Sequence, residues 1–382
     1  MTQRAYFDWN ANALLRPQAR AAMEVALDAV GNASSVHAEG RSVRALIEKA
    51  RAQVAALVGA APKDVTFTSG ATEANTFALT PLIGAPPRDR LFVSAVEHPS
   101  VLCGGRFSKD KVEELPVDDD GVVDLAALAK AIARADRPLV SVMLANNETG
   151  VVQPLARVAP IVHAAGGLLH VDAVQAPGRM ACRIDELDAD FVTLSAHKIG
   201  GPQGAGALIR RGDRQLDPLV KGGGQERGLR GGTENIAAIA GFGAAAEACA
   251  TFWREEASRM ASLRDRLEAG LHAVTPDAII FGARVTRLPN TTFFAVPGVK
   301  AETAIIAFDL NGIAVSSGAA CSSGKVQPST VLKAMGVAED LVRGAVRVSL
   351  GHSTTEAEID MFLQTWKLLL GPLLRERRGL AA

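Results

Sequence analysis

The stretch Gly167–Lys198, GLLHVDAVQAPGRMACRIDELDADFVTLSAHK, decides the fold. It contains two short apolar runs, Gly167–Val171 and Phe191–Leu194. The first ends in Asp172 and the second in Ser195, His197 and Lys198. Such runs read as buried strands, and open α/β sheets place their chemistry just past the carboxyl ends of their strands. The pattern repeats on both sides. Upstream, Val65–Thr68 reads as a strand followed by Gly70 and a helix from about Thr72, Leu91–Ser94 and Leu139–Val142 read as strands, and a helix covers Val158 to Ala165. Downstream, Ala207–Ile209 is another strand. Strands alternating with helices predict an α/β fold, a mostly parallel sheet with helices on both faces. The polar residues at its strand ends are Ser69–Thr72, Glu97 and His98, Asn146–Glu148, Asp172 and Ser195–Lys198.

Beyond Phe252 the texture changes. A charged helix is predicted from Trp253 to about Ala273, then a strand Thr291–Ala295, a helix Ala301–Leu310, strands Ile313–Ser316 and Val346–Ser349, and a last helix near Thr355, where TTEAEID has the form of a capping box. This predicts a smaller α+β domain. The expected division is residues 14–251 for the large domain, and residues 1–13 with 252–382 for the small one, which carries a Gly/Ser loop at about 316–328. The glycine-rich GGGQERGLRGG at 222–232 reads as a loop rather than a linker, because it holds specific polar residues.

Composition bounds the function. With 382 residues, 48% of them hydrophobic, the chain has ample core for two domains. Its 41 basic and 41 acidic side chains cancel, so no long-range field draws it to nucleic acid or to an acidic membrane. The longest uncharged apolar run, Ile236–Ala246, stops at Glu247, short of the ~20 residues of a membrane span. The first residues, MTQRAYFDWN, hold no apolar signal core, so a cytoplasmic location is expected. Four scattered cysteines without a C-x-x-C spacing encode neither a disulfide framework nor a zinc pair, so no permanent metal site is expected. Cys103, Cys182 and Cys249 read as buried filler. Cys321, flanked by Ser and Gly in SSGAACSSGK, reads as a movable, reactive thiol.

Lys198 taken alone reads as a solvated surface lysine, and Asp172 taken alone as half of an ion pair. Together, on the ends of successive strands, they fit a lysine able to form a Schiff base and a carboxylate facing a pyridinium nitrogen, the pairing used to hold pyridoxal 5'-phosphate (PLP). SGATE at 69–73 opens a helix whose backbone N–H groups and Thr72 hydroxyl suit a phosphate, although the same pattern serves as a simple N-cap. His98 has two readings, a ring stacked on a planar cofactor or a satisfied structural histidine.

Seven ordered motifs then carry a resemblance. SGATEAN, EHPSVL, ANNETG, HVDAVQ, SAHKIGGPQGAGAL, GGGQERGLRGGTEN, and SSGAACSSG followed by QPS resemble the NifS/IscS-type cysteine desulfurases, with a slight lean to the nitrogen-fixation branch. These are PLP-dependent enzymes of the class V aminotransferase group with fold type I, and the resemblance runs from YFDWNA to LGHSTTEAEID. It implies a seven-stranded type of large-domain sheet. It also implies that Lys198 holds PLP, Asp172 keeps the pyridine nitrogen protonated, Gln175 bonds the phenolic oxygen, and His98 stacks on the ring and shuttles protons. Ala71, Thr72, Ser195 and His197 would bind the phosphate, and Thr233 would reach the phosphate of the other subunit of a homodimer. Asn147 would contact cofactor and substrate, while Asn32 and Arg347 would hold the substrate carboxylate. Cys321 would take sulfur from L-cysteine, leaving alanine, and would pass it to an iron–sulfur scaffold or another acceptor protein, with nitrogenase cluster assembly as one destination. The same resemblance makes Cys321 a transient iron–sulfur ligand. A selenocysteine lyase or aminotransferase on the same fold is the nearest alternative, and a non-catalytic scaffold protein is an alternative of another class. The chain departs from the family's usual wording at Asn12, Leu14, Ala33 and Ala319.

Overall fold

The computed structural model describes residues 4–84, 86–318 and 327–379. Among them the chain enters on a short strand, β1 (Ala5–Tyr6), and continues through two helices, α1 (Pro17–Leu27) and α2 (Ala38–Leu57). Strand β2 (Val65–Thr68) leads into α3 (Ala71–Ala78), and β3 (Arg90–Ser94) into the one-turn α4 (Pro99–Leu102). Then follow β4 (Val112–Leu115), α5 (Leu125–Ile132), β5 (Pro138–Ser141), α6 (Leu155–Ala164), β6 (Leu168–Asp172), β7 (Phe191–Ser195), β8 (Gly206–Arg210) and the long α7 (Ile236–Val274). The last third contributes β9 (Ile279–Ile280), β10 (Thr291–Ala295), α8 (Ala301–Leu310), β11 (Ile313–Ala314), β12 (Val346–Ser349) and a C-terminal helix, Glu356–Gly379.

Seven strands form one sheet in the order β2-β8-β7-β6-β5-β3-β4. Pairs from β7 through β4 are parallel, and β8 runs antiparallel to both of its neighbours. The reversal has a simple cause. Residues 196–205 join β7 to β8, and a parallel return needs a crossover of a dozen or more residues. Successive residues of each strand face opposite cores, as a period of two demands. Leu169 and Val192 join a core with Val43, Ile47 and Phe242, while Leu168 and Phe191 join one with Phe77 of α3. Each such fully buried side chain contributes about 1.5–3 kcal/mol, which is why the central strands read as continuous apolar runs.

Strands β12, β10 and β9 form a smaller antiparallel sheet, and β1 pairs with β11. Their core gathers Phe7, Leu263, Leu267, Phe294, Phe308, Phe362 and Trp366, with the Phe308 and Phe362 rings stacked at 4.8 Å. The C-terminal helix opens on reciprocal bonds between Thr355 and Glu358: the Glu358 N–H donates to Thr355 Oγ1 at 3.3 Å and the Thr355 N–H donates to Glu358 Oε2 at 2.8 Å.

Several expectations need correction. The predicted change of texture at Phe252 lies inside one continuous helix. The first part of α7, Ala238 to Cys249, belongs to the large-sheet core, and Met260 to Leu271 belong to the smaller one. Counted over that whole helix, length and composition do reach those of a membrane span, because Glu247 alone does not offset its neighbours. Half of the apolar window is buried in the fold, against α1 and α2. Cys103 is exposed rather than buried, one residue past α4, while Cys182 and Cys249 are buried as expected. β4 was not predicted. As an edge strand, VEEL carries charge where a central strand is apolar.

Candidate active site

The carboxyl ends of β6 and β7, the start of α3 and the N-terminal segment enclose a cavity of about 450 Å³. Asp172 is the last residue of β6 and Ser195 the last of β7. The chain then makes one 3-10 turn, Ala196–Lys198, that turns His197 and Lys198 into the same space. Ala71, Thr72, His98, Asn147, Asp172, Gln175, Ser195, His197, Lys198 and Arg347 all line it. Asp172 and Lys198 therefore share one cleft, and Arg347, carried by β12 of the smaller sheet, reaches it from the other side.

Asp172 is held in place by two donors. Asn75 Nδ2 donates to Oδ2 at 2.9 Å and the Val174 N–H to Oδ1 at 3.0 Å. Asn75 is wholly buried, and its own oxygen accepts from Thr193 Oγ1 at 2.6 Å. Lys198 Nζ donates to the carbonyls of Asn10 and Ala11 at 2.6 and 2.9 Å. His98 caps α4: its Nδ1 accepts from the Ser100 N–H at 3.2 Å, which places the proton of the neutral ring on Nε2. His197 Nδ1 lies 3.1 Å from Asn12 Oδ1, and burial together with the adjacent Lys198 charge lowers its pKa to about 4. It is neutral at physiological pH. Arg347 is 1% exposed; its Nη2 donates to Asp8 Oδ1 at 2.7 Å and its Nη1 to the Asn147 carbonyl at 2.9 Å.

Further residues meet the site besides those expected to hold cofactor or substrate. Asn10, Asn12, Ser100, Met143 and Gln203 also line the cavity. Glu97, adjacent to His98, is buried and accepts from the Met143 N–H; burial and the nearby Asp172 charge push its carboxyl well above the usual carboxylate range. In the sequence it is marked only as a polar strand-end residue beside His98. Asn12, one of the departures from family wording, accepts from Gln203 Nε2 at 3.3 Å as well as meeting His197.

Two sequence-predicted residues lie outside this cavity. Asn32 is exposed, and its Oδ1 accepts from the Ser34 N–H at 2.8 Å in a turn that leads into α2. Thr233 is exposed beyond the 222–232 loop. That loop is firmly anchored. Glu226 and Arg227 adopt left-handed backbone, at φ 46° and 58°. The buried Glu226 carboxylate accepts from both Arg51 Nη atoms at 2.7 and 2.8 Å and from the Phe67 N–H at 2.8 Å, while Arg230 Nε donates to Glu73 Oε1 at 3.0 Å. Cys321 lies outside the described residues.

These donors suit PLP. Gly70 begins α3 without a side-chain cap, so the first N–H groups of that helix lack intrahelical partners. A Cβ at Gly70 would meet nothing within 4 Å, which leaves an open cradle at a helix N-terminus for an anion. Gly206 makes the cradle possible from behind, because a Cβ there would stand 2.5 Å from the Gly70 carbonyl carbon.

The Aminotransferase class-V family matches residues 5–362. The chain is 43% identical to a cysteine desulfurase of Cereibacter sphaeroides over 99% of its own length and 98% of the relative's. It is 38% identical to the IscS-like cysteine desulfurase of Mycobacterium tuberculosis, again over 99% and 98% of the two chains. Among solved structures, the NifS-like protein from Rickettsia africae is similar with a TM-score of 0.88 and 35% identity, covering 97% of this chain and all of that one.

Proposed function

The chain belongs to the aminotransferase class-V family, whose members depend on PLP, and from that footing we propose that it is a cysteine desulfurase, a sulfurtransferase that takes sulfur from L-cysteine. The products are L-alanine and a persulfide on Cys321: the substrate C–S bond breaks, an S–S bond to Cys321 forms, and the thiol proton ends on the alanine methyl group. The sulfur goes on to an acceptor protein for iron–sulfur cluster assembly. The observation that carries this reading is the single cavity into which Lys198, Asp172 and the uncapped start of α3 all open.

When bound, PLP supplies an electron sink conjugated to the substrate amine. Lys198 Nζ would hold the cofactor, and its free amine would be the base for the substrate α-proton. Asp172, fixed by Asn75 and the Val174 N–H, keeps a proton on the pyridine nitrogen. Ala71, Thr72, Ser195 and His197 bind the phosphate, and Gln175 bonds the ring oxygen. Neutral His197 gives its single N–H, on Nδ1, to Asn12 Oδ1, which fixes the orientation of the ring beside that site and leaves Nε2 an acceptor, so the ring would donate to the phosphate only when protonated. His98 would cover the ring, and with Nδ1 occupied as an acceptor it would exchange protons at Nε2. Arg347 receives the substrate carboxylate beside Asn147. Cys321, flanked in sequence by Ser and Gly, would attack as thiolate and hand the sulfur on to the acceptor.

The exposure of Thr233 outside the cavity of its own chain supports a homodimer in which each subunit completes the other's phosphate site. A cytoplasmic location, transient iron–sulfur ligation by Cys321, and the division into residues 14–251 and residues 1–13 with 252–382 belong to the same reading. To test it, the yellow, cofactor-loaded protein is incubated with L-cysteine and a thiol reductant. Alanine and sulfide should appear in equal amounts, and Cys321→Ala should stay yellow yet release neither. A Cys321→Ala variant that desulfurates L-cysteine at the wild-type rate would overturn the mechanism.

A further inference from the structure

The cation at Arg179 is hard to explain as structure alone. The residue is only 7% exposed, and among the described residues no carboxylate pairs with it. An unmatched buried charge is costly, so it persists only where something offsets it. The charged groups around it do not. Arg347 has the same sign, Arg16 already takes Glu256 at 2.6 Å, and burial holds the Cys249 thiol up at about 11, so no thiolate stands there at neutral pH. Burial lowers Arg179 itself only to about 10, so it stays charged.

What Arg179 does bond is Gln175. Its Nη1 donates to the Gln175 carbonyl at 2.9 Å and also to Gln175 Oε1. Arginine has donors only, so this contact fixes which end of the amide is oxygen. Gln175 Nε2 must then face the other way, where it donates to the Asn10 carbonyl at 3.0 Å and keeps a second N–H. Gln175 lines the cavity and Arg179 does not.

We propose that Arg179 is a positioning residue that locks the Gln175 amide donor-first toward the cofactor's ring oxygen and, through that amide, lends its charge to the oxygen's negative form. The bound cofactor thereby becomes the counter-anion that the protein alone lacks. This rests on the PLP reading above and adds to it a residue that touches neither cofactor nor substrate.

A negative ring oxygen and a protonated Lys198–cofactor linkage stabilise each other. A donor and a positive charge on the oxygen therefore favour release of the linkage proton. Removing them should move the titration upward. The test is the pH dependence of the visible absorption of the cofactor-loaded protein, followed without substrate, for wild type, Arg179→Met, Arg179→Lys, Gln175→Leu and the double variant Arg179→Met/Gln175→Leu. The midpoint should rise by about one pH unit in Arg179→Met and by less in Arg179→Lys, which keeps the charge and loses the fork. The double variant should match Gln175→Leu, because the arginine acts through the glutamine. If Arg179→Met does not load, Arg179→Lys carries the comparison. A wild-type midpoint in the loaded arginine variants, with Gln175→Leu shifted, overturns the proposal and leaves the PLP site standing. Additive shifts in the double variant overturn the relay. A wild-type protein that takes up no cofactor overturns the underlying reading instead.

Discussion

Gly206→Ala is the sharpest probe of the phosphate cradle. The new Cβ would stand 2.5 Å from the Gly70 carbonyl carbon, 2.7 Å from Gly70 Cα and 2.9 Å from the Ala71 nitrogen. Carbon atoms in ordinary contact are about 3.5–4.0 Å apart, so the backbones must separate by roughly 1 Å. All three neighbours are backbone atoms, so no rotamer change relieves the clash. Strand β8 cannot easily yield, because Gly206 pairs with Thr68 on one side and Ser195 on the other. The start of α3 is the part that moves. Overpacking of this kind costs about 1–3 kcal/mol. Where the displaced part is also the anion cradle, the same energy appears in cofactor binding, as a Kd raised roughly 5- to 150-fold. Urea unfolding of the cofactor-free protein and a PLP titration followed by absorbance measure the two effects. Gly70→Ala is the control. Its φ of 162° is extended backbone and its Cβ would meet open space, so the cofactor-free protein should keep wild-type stability and lose only cofactor affinity. A Gly206→Ala protein with wild-type unfolding and wild-type Kd refutes the proposed geometry of the cradle.

Asn75→Ala strips a buried donor from Asp172 and a buried acceptor from Thr193, and should cost about 1–3 kcal/mol in urea unfolding together with weaker cofactor retention on dialysis; unchanged retention would show that Asp172 needs no such support. His170 is fully buried on β6, bonded at 2.8 Å to Ser141, and held by desolvation at about 4 against an unfolded value near 6.5. Its folded pKa is depressed, so the unfolded chain binds the extra proton between those values. Stability is therefore complete above pH 6.5, and about 3 kcal/mol of it is lost as pH falls to 4. Denaturation of the cofactor-free protein across that window should be less pH-dependent in His170→Gln, and an identical slope in the two proteins would refute the assignment.

Much of the fold is legible because burial on both faces leaves a plain trace. Val65–Thr68, Thr291–Ala295, Ala301–Leu310 and Val346–Ser349 form over the very residues that their patterns predict. The limits are informative. The helix predicted from Trp253 starts at Ile236 instead, because the onset of charge marks no helix end, and helical periodicity says nothing about which core a helix faces. One unbroken α7 changes partners from the large-sheet core to the small one while its hydrogen-bond ladder continues. The direction of β8 was equally hidden, since a strand's pattern is the same read either way and only the shortness of the 196–205 connection decides it.

The site divides along similar lines. Asp172 and Lys198 stand out because a charge that ends an apolar strand demands a reason, whereas Asn10, Asn75 and Arg179 look like ordinary polar residues until the chain has folded. Asn10 shows why. Its carbonyl accepts from Lys198 and Gln175, its Nδ2 donates to the Asn147 carbonyl and to Thr291 Oγ1, and its N–H donates to Ser349 Oγ. One residue of the N-terminal segment thus joins the strand ends of the large sheet to β10 and β12 of the small one. A cavity built between two cores needs such a tie, because the groups that hold a cofactor come from one and Arg347 comes from the other. The tie runs through main-chain carbonyls and a small amide, and carbonyls leave no mark in a sequence. Asn12 extends the same principle: its amide oxygen spans His197 and Gln203 at a position where the family's usual wording differs, so the resemblance marks the position but not the contact made there.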